Sequence, residues 1–159
     1  MATKQKPAEE SHLLVAANKK ARRDYEIIDE LEAGICLKGS EVKSLRQGNI
    51  NLKDSYVKLK SGEIFLVGSH IAPYNHSPAD SHEAVRDRKL LLHKKEITKL
   101  SVLVQQKGLT IIPLKIYFSA GRCKVQIGLG RGKKLHDKRE DIKSKEAVRE
   151  IERVMKRQR

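Results

Sequence analysis

Aromatic residues and cysteines are scarce in this sequence. The chain has 159 residues, with no tryptophan, 2 phenylalanines and 4 tyrosines. Proteins that bind single strands by stacking many bases usually offer several aromatic platforms, so that binding mode is disfavoured. The 2 cysteines, Cys36 and Cys123, lie alone in apolar contexts. Because they lack the spacing of a disulfide framework or a zinc knuckle, we expect both to be reduced core residues.

Long apolar runs are also missing. No stretch of about 18 apolar residues is present to span a bilayer, and residues 1–12 lack the apolar segment of a secretion signal. A helix lying on a membrane surface would need bulky aromatics on its apolar face, and no predicted helix carries phenylalanine. The sequence therefore predicts a cytoplasmic protein without a membrane partner.

Positive charge is the dominant feature of the composition. Lysine and arginine number 34 against 20 acidic residues, which gives a net charge of +14, and 38% of the residues are hydrophobic. The charge predicts an anionic partner, and the hydrophobic content is sufficient for a core. We predict a flexible leader at 1–12, a folded body at 13–130 and a basic tail at 131–159. The tail has few large apolar residues, so we expect it to be disordered when free.

Strand patterns predominate in the body. Tyr56–Lys60 and Glu63–Val67 flank a Ser-Gly turn and predict a hairpin. The β-branched run at 109–118 and the strict alternation at 123–129 predict a second hairpin with one wet, basic face. Pro113 lies inside the first of these strands, so we place it at an edge or a bulge.

The remaining predicted elements are shorter or helical. Residues 25–28 and 32–37 look like two short strands joined by 29–31. Ser40 is predicted to cap a short helix, and Lys94–Lys107 carries an apolar stripe at helical spacing. Four to six strands with two helices favour an antiparallel β-barrel or sandwich over alternating βαβ units, and we prefer a small closed barrel.

No catalytic or metal site can be singled out. His70, His76 and His82 lie in or beside a loop at 72–88 that we expect to be exposed and mobile. Their spacing is unlike that of a zinc site, so we predict solvated histidines and no metal. Neither a Ser-His-Asp group nor a carboxylate pair stands out, and we predict neither an enzyme nor a cofactor.

The glycine-rich segment 128–134 is similar to a nucleotide phosphate loop but departs from it at two positions. Ile127 replaces the first glycine, and Lys134 replaces the Ser or Thr that meets magnesium. We therefore interpret the small residues as letting the backbone leave the barrel close to a polyanion. Arg131, Lys133 and Lys134 then project toward phosphates.

Three basic clusters, at 18–23, 86–89 and 131–139, predict RNA binding. Any one of them alone could be a solvated face, but three on one small barrel favour phosphate contacts and a folded RNA recognised by shape. The cations predicted from these clusters and from the basic strand face are Lys20, Arg88, Lys89, Lys124, Arg131, Lys133 and Lys134.

The tail has helical periodicity but little apolar surface. Val148, Ile151, Val154 and Met155 form a narrow stripe on a helix. Folding on binding is the preferred interpretation, and the alternative is a frayed basic extension that adds only non-specific affinity.

Five segments carry a family resemblance. They are NKKARRDY at 18–25, EAGI at 32–35, GSEVKSLR at 39–46, RKLLLH at 88–93 and GKKLHDKR at 132–139. In this order they resemble small protein B, the SsrA-binding protein family of bacteria. The resemblance extends from about Leu13 to the C-terminus.

The resemblance implies a fold and a function. Members of that family bind the tRNA-like domain of transfer-messenger RNA on an OB-like antiparallel β-barrel and deliver it to stalled ribosomes in trans-translation. Their tail becomes helical in the empty mRNA channel near the decoding centre, where it meets ribosomal RNA. By this resemblance we expect a non-enzymatic monomer bound 1:1 to its RNA, with no cofactor. The alternative is a structural or assembly protein of the ribosome that binds rRNA.

The resemblance also implies site residues. Those expected on the RNA-contacting face are Asn18, Lys19, Arg22, Glu32, Lys43, Arg46, Leu92 and His93. Those expected to contact the ribosome from the tail are His136, Asp137, Lys138, Arg139, Lys143, Ile151 and Met155. Cations would neutralise phosphates, whereas Glu32 would accept hydrogen bonds from a base edge or a sugar hydroxyl. Ala147 stands where many members have tryptophan, and His93 where some have asparagine.

Overall fold

The structure is a computed structural model that describes residues 13–74 and 82–157. The predicted leader and His76 lie outside the described residues, as does the side chain of His136. In chain order the elements are β1 (Leu13–Ala17), α1 (Lys19–Asp24), β2 (Tyr25–Ile35), α2 (Gly39–Arg46), β3 (Ile50–Asn51), β4 (Tyr56–Lys60), β5 (Glu63–Val67), β6 (His70–Ile71), β7 (Arg88–Leu91), α3 (Lys94–Lys107), β8 (Thr110–Ser119), β9 (Arg122–Gly132) and α4 (Leu135–Arg157).

Seven strands form one antiparallel sheet in the order β1-β8-β4-β5-β7-β2-β9. Because β8 also pairs with β9, six of these strands close into a ring, and β1 adds to the outer edge of β8. Strand β8 is long enough to pair with three strands. Ile111 pairs with β4, the stretch from Lys115 to Phe118 pairs with β1, and β9 is the third partner. The predicted mainly antiparallel β fold with flanking helices is confirmed.

Both predicted hairpins are present. Strands β4 and β5 pair from Tyr56↔Val67 to Lys60↔Glu63, and β8 pairs with β9 along nearly its whole length. The register of β8 shifts between Pro113 and Lys115, which is the bulge that the proline predicted. A proline has no backbone N–H to give to a ladder, so the irregularity falls where that donor is missing.

Strand β2 corrects the prediction of two short strands at 25–28 and 32–37. It is one strand of 11 residues that pairs with β9 from Tyr25 to Gly34. The register shifts between Ile27 and Asp29, and Ile28 is 54% exposed at this bulge. The polar stretch that resembled a connection is therefore a bulge within a continuous strand.

The sequence predicted helix α3 more accurately than helix α2. Helix α3 occupies the predicted range, with Leu100 in the core, and it ends at Gly108, which has a left-handed φ of 59°. Helix α2 has Lys38 at its N-cap. Ser40 is therefore inside the helix and does not cap it, and its buried hydroxyl instead meets Nδ1 of His82 at 3.0 Å.

The core lies inside the ring. Ile64, Leu66, Ile116 and Val125 are fully buried there, and Leu100 of α3 packs against them at one end. At about 25 cal/mol per Å² of apolar surface removed from water, such side chains stabilise the fold by roughly 2 kcal/mol each. The ring is thus filled by side chains and has no open channel in the part that the structure describes.

Two glycines of β9 serve packing. A Cβ at Gly128 would lie 2.9 Å from Cδ1 of Leu114, and one at Gly130 would lie 3.0 Å from the carbonyl oxygen of Glu26. Both glycines are buried, so the space that they leave is occupied by the protein itself. The interpretation that they bring the backbone close to a polyanion is wrong for these two positions.

Among the described residues, no helix is both long and apolar enough to cross a bilayer.

Candidate nucleic-acid interface

Three of the predicted contact residues meet in one shallow depression. Its lining is Glu32 from β2, Leu91, Leu92 and His93 from the end of β7, and Glu96 from the first turn of α3. The pairing of Gly34 with Leu91 brings β2 beside β7, and this pairing places the carboxylate of Glu32 near residues about sixty positions later in the chain. The ring therefore assembles the site that the sequence motifs predicted only as separate segments.

The carboxylate of Glu32 is held from two strands. Tyr117 of β8 donates its phenolic hydrogen bond to Oε2, and Lys124 of β9 donates from Nζ to Oε1. Burial raises the pKa of the Tyr117 phenol, and the hydrogen bond and charge of Glu32 raise it further. Tyr117 is therefore a neutral donor at pH 7, and the Glu32 side chain that accepts from it is 43% exposed at the depression.

His93 lies at the N-cap of α3. Its backbone N–H donates to Oε2 of Glu96 at 2.9 Å, which fixes the first turn of the helix. The imidazole is exposed at the rim of the depression. It presents a flat ring together with polar nitrogen atoms beside the apolar surface of Leu91 and Leu92, an arrangement suited to contact with a base or a ribose.

Helix α1 carries three of the predicted cations. Lys19 is exposed, Lys20 forms an ion pair with Asp54 at 2.5 Å, and Arg22 forms one with Glu30 at 3.0 Å. The mutual hydrogen bond raises the pKa of Lys20 and lowers that of Asp54. Exposed ion pairs of this kind contribute little to stability, so an RNA phosphate can compete for these cations.

Helix α2 presents Lys43 and Arg46 to solvent. The Nζ atom of Lys43 lies 5.5 Å from the ring centroid of Tyr74, and the guanidinium carbon of Arg46 lies 5.9 Å from that of Phe118. Both cations are thus positioned by aromatic faces that do not neutralise their charge.

The other predicted cations are distributed around the ring. Lys89 pairs with Glu63, and Lys124 is engaged with Glu32. Arg131 and Lys134 are exposed where β9 leads into α4, and Lys133 is half-buried there. Arg131 and Lys134 thus lie on the surface, where a polyanion can reach them.

The structure corrects the RNA contact predicted for Arg88. This side chain is fully buried, and its guanidinium donates to Oε1 of Glu41 at 2.9 Å and to the carbonyl oxygens of Ser69, Arg86 and Ala84. Each of its three guanidinium nitrogens thus donates a hydrogen bond inside the protein. Arg88 is therefore a structural residue.

Glu41 is the acceptor at the centre of this buried cluster. Burial of the carboxylate alone would raise its pKa, but hydrogen bonds from Arg86 and from the backbone N–H of Lys38, with the charge of Arg88, lower it overall. Burial lowers the pKa of Arg88, against the effect of Glu41. The cluster ties α2, β7 and the segment that precedes β7 to one another.

The prediction for Asn18 is corrected in the same way. Its side chain is buried, its amide donates to the carbonyl oxygens of Leu52 and Pro113, and its Oδ1 accepts the N–H of Ala21 at the start of α1. An asparagine with both ends of its amide engaged in this way is a helix cap and not a contact for RNA.

Two further predictions of residue environment are wrong. His82 is buried, with its ring nitrogens 3.0 Å from Oγ of Ser40 and 3.1 Å from the carbonyl oxygen of Ile71, so it is not a solvated loop histidine. Cys36 is exposed and not a core residue. Cys123 is a half-buried thiol, and burial raises its pKa to about 12.

The predicted tail contacts lie on α4. Oδ2 of Asp137 accepts the backbone N–H of Lys134, and Lys138 lies 3.9 Å from the carboxylate of Asp24. Arg139 and Lys143 are exposed. Ile151 and Met155 are 56% and 66% exposed, as members of an apolar stripe on α4 that faces solvent.

Sequence reasoning missed Tyr117. Its position in a β-branched run resembles that of any core aromatic, and only the closure of the ring brings its hydroxyl to Glu32. A closed antiparallel sheet whose surface carries many exposed cations is typical of a basic nucleic-acid-binding protein.

Comparison with known proteins identifies the family. The family described as SmpB protein matches residues 15–157. A relative called SsrA-binding protein, from Syntrophobacter fumaroxidans, is 54% identical over 99% of this chain and 98% of its own length. Another of the same description, from Acetivibrio thermocellus, is 52% identical over 94% and 97%. The chain belongs to the SmpB family.

A solved structure gives the same result. A chain from "tmRNA-SmpB: a journey to the center of the bacterial ribosome" is 47% identical, with a TM-score of 0.65, over 80% of this chain and 93% of that chain.

Proposed function

We propose that this protein binds SsrA RNA, the transfer-messenger RNA, through its tRNA-like domain and delivers it to stalled ribosomes for trans-translation. The observation that carries the proposal is the identity of 54% with an SsrA-binding protein over nearly the whole of both chains. The family is one of non-enzymatic RNA-binding proteins.

The closed ring supports an OB-like barrel as the RNA platform. Two hairpins, β4–β5 and β8–β9, are combined in it with the long-range pairs β2–β7, β2–β9 and β4–β8, and α3 contributes Leu100 to the core. In such a barrel, loops and one strand face bind the nucleic acid. Here the depression around Glu32 and His93 occupies that kind of position, between a strand and the loop that leads to α3.

The chemistry of the surface divides between affinity and selectivity. Lys19, Lys43 and Arg46 are exposed cations that neutralise phosphates and release counterions. Glu32 repels phosphate but accepts hydrogen bonds from a ribose hydroxyl or a base edge. We therefore assign the cations to affinity and Glu32 to the choice of RNA.

The tail supports a second role, separate from that of the body. Helix α4 presents its apolar stripe and many charges to solvent, a surface that suits the empty mRNA channel near the decoding centre. In this proposal a cytoplasmic monomer carries one RNA on its body and inserts α4 into that channel.

A competition titration tests the proposal. The full chain is titrated with the tRNA-like domain of transfer-messenger RNA, against excess elongator tRNA, at two salt concentrations. We expect the protein to keep its preference for the tRNA-like domain at both concentrations. Glu32→Gln removes the charge of the acceptor while keeping its shape, and Glu83→Gln is the matched control on an exposed glutamate outside the depression.

The two variants separate recognition from charge. We expect Glu32→Gln to reduce the preference, and Glu83→Gln to leave it unchanged. If elongator tRNA competes equally and higher salt abolishes all binding, the interaction is only that of a net charge of +14, and the proposed function is wrong.

A further inference from the structure

A second basic site lies between the body and the tail helix. Helix α4 runs beside α1, and a cleft of about 620 Å³ opens between them. This space is many times that needed for one water molecule, so a hydrated anion fits. The cations that line the cleft are Lys19, Lys20, Arg23, Lys53, Lys145 and Arg149. Ile142 completes the lining.

Most of these charges are not neutralised by the protein. Lys20 pairs with Asp54 and Arg23 with Asp24. The remaining four cations form no ion pair with any acidic side chain whose position the structure describes. Like charges that converge on one space repel each other, and an anion between them removes that repulsion.

The protein alone holds α4 weakly against the body. Lys138 and Asp24 lie 3.9 Å apart, at the limit of an ion pair. Ile142 remains 42% exposed although it lines the cleft, so little apolar surface is buried there. The cations on the two walls of the cleft therefore repel each other, and no large apolar contact or close ion pair described between the walls offsets that repulsion.

We propose that the cleft binds a phosphodiester group of RNA and that this contact fixes α4 against α1. Lys53 from the body and Arg149 from the tail approach the group from opposite walls. RNA is the ligand because Lys19 belongs both to this cleft and to the exposed cationic surface of α1, so one nucleic-acid backbone can follow both. The proposal rests on the proposed function, since it takes the partner to be RNA.

Salt dependence tests the cleft because each phosphate contact adds about one unit to the slope of log K against log salt. The full-length variants are Lys53→Glu, Arg149→Glu and the double variant. Lys58→Glu and Arg153→Glu are their controls, since each makes the same change of charge at an exposed cation outside the cleft. One arm uses the tRNA-like domain of transfer-messenger RNA, and the other uses stalled ribosomes.

We expect each cleft variant to lose about one unit of slope relative to its control, in the arm whose RNA supplies the phosphate. The double variant loses no more than either single variant, because the two cations share one group. If the double variant loses as much slope as the two single variants together, Lys53 and Arg149 contact two separate phosphates. That result would overturn the shared site. Cleft variants that match their controls in both arms overturn the proposal as well.

The outcome is distinguishable from that of the proposed function. A parent protein that fails to prefer the tRNA-like domain over elongator tRNA contradicts the proposed function. The slopes of the cleft variants against their controls still report on the cleft in that case, since they depend on phosphate contacts and not on preference.

Discussion

Tyr117 on β8 donates a hydrogen bond to Glu32 on β2 across the intervening strand β9. The two residues are 85 positions apart in the chain. Lys124 of the intervening strand holds the other carboxylate oxygen. The carboxylate of Glu32, which we assign to RNA selectivity, is thus oriented by side chains from strands β8 and β9.

Replacing the tyrosine hydroxyl tests this positioning. Tyr117→Phe removes one neutral donor, worth about 1 kcal/mol, and leaves the ring in place. We expect the preference for the tRNA-like domain over elongator tRNA to fall about fivefold, since the Glu32 carboxylate then loses one of the hydrogen bonds that orient it. Competition titration measures the effect, and Tyr56→Phe, at an exposed tyrosine outside the depression, is the control. An unchanged preference in Tyr117→Phe contradicts the positioning role.

Burial of the Tyr117 phenol, together with its hydrogen bond to Glu32 and the charge of Glu32, predicts an alkaline effect on stability. The pKa of Tyr117 is raised in the folded state from an ordinary value of 10.0. Its contribution to the free energy of unfolding is therefore complete below pH 10 and declines as pH rises toward the folded-state pKa. Thermal melts should show the stability difference between the parent and Tyr117→Phe shrinking above pH 10. A difference independent of pH in this range would contradict the raised pKa of Tyr117.

Removing the buried acceptor tests the cluster behind β7. Glu41→Gln leaves Arg88 buried without its counter-charge, and breaking a buried pair in this way costs about 3–5 kcal/mol. Chemical denaturation measures this loss. Glu83→Gln, at an exposed carboxylate, should cost less than about 0.5 kcal/mol.

The pH dependence of the Glu41 contribution has the opposite sign to that of Tyr117. The folded-state pKa of Glu41 lies below its ordinary value of 4.5. Its contribution is therefore complete above about pH 4.5 and is lost as pH falls through the folded-state pKa. The gap between parent and Glu41→Gln should narrow only on the acid side. A gap that widens there would show that the carboxylate is not the stabilising form.

The two cysteines should react with thiol reagents at different rates. Cys36 is exposed, whereas the Cys123 thiol is half-buried with a pKa of about 12, so it has almost no thiolate at pH 7. We expect one fast-reacting thiol per native chain, none in Cys36→Ser, and two after denaturation. A fast-reacting thiol in native Cys36→Ser contradicts the placement of Cys123.

Deleting residues 137–159 tests the division between body and tail. The depression and the cations of α1 and α2 remain, so affinity for the tRNA-like domain should change by less than about tenfold. Peptide tagging on stalled ribosomes should be abolished, because the segment proposed for the mRNA channel is missing. Loss of RNA affinity on truncation would contradict this division of labour.

Local patterns predicted the elements that depend on neighbours in sequence. The hairpin of β4 and β5, the range of α3 and the bulge at Pro113 follow from alternation, periodicity and a missing donor. The break predicted in β2 was wrong because a bulge and a short connection have the same polar composition. Only the paired strand β9 distinguishes them.

Burial of polar residues could not be predicted, because their partners are distant in the chain. Arg88 finds Glu41 at a separation of 47 residues, His82 finds Ser40 at 42, and Asn18 finds Pro113 at 95. Each lies in a segment whose charge or composition resembles a surface. The depression was better predicted, since Glu32, Leu92 and His93 stand in motifs that the family resemblance marks.

The pairing of β8 with β1, β4 and β9 also bears on how the protein is made. The edges of β1 and β4 that pair with β8 have no partner until residues 110–119 have been synthesised. The ring closes only when β9 is complete at Gly132. Nascent chains shorter than this expose unpaired strand edges. Folding of the body is therefore confined to the last part of translation, and a message truncated before Gly132 yields no body able to bind RNA.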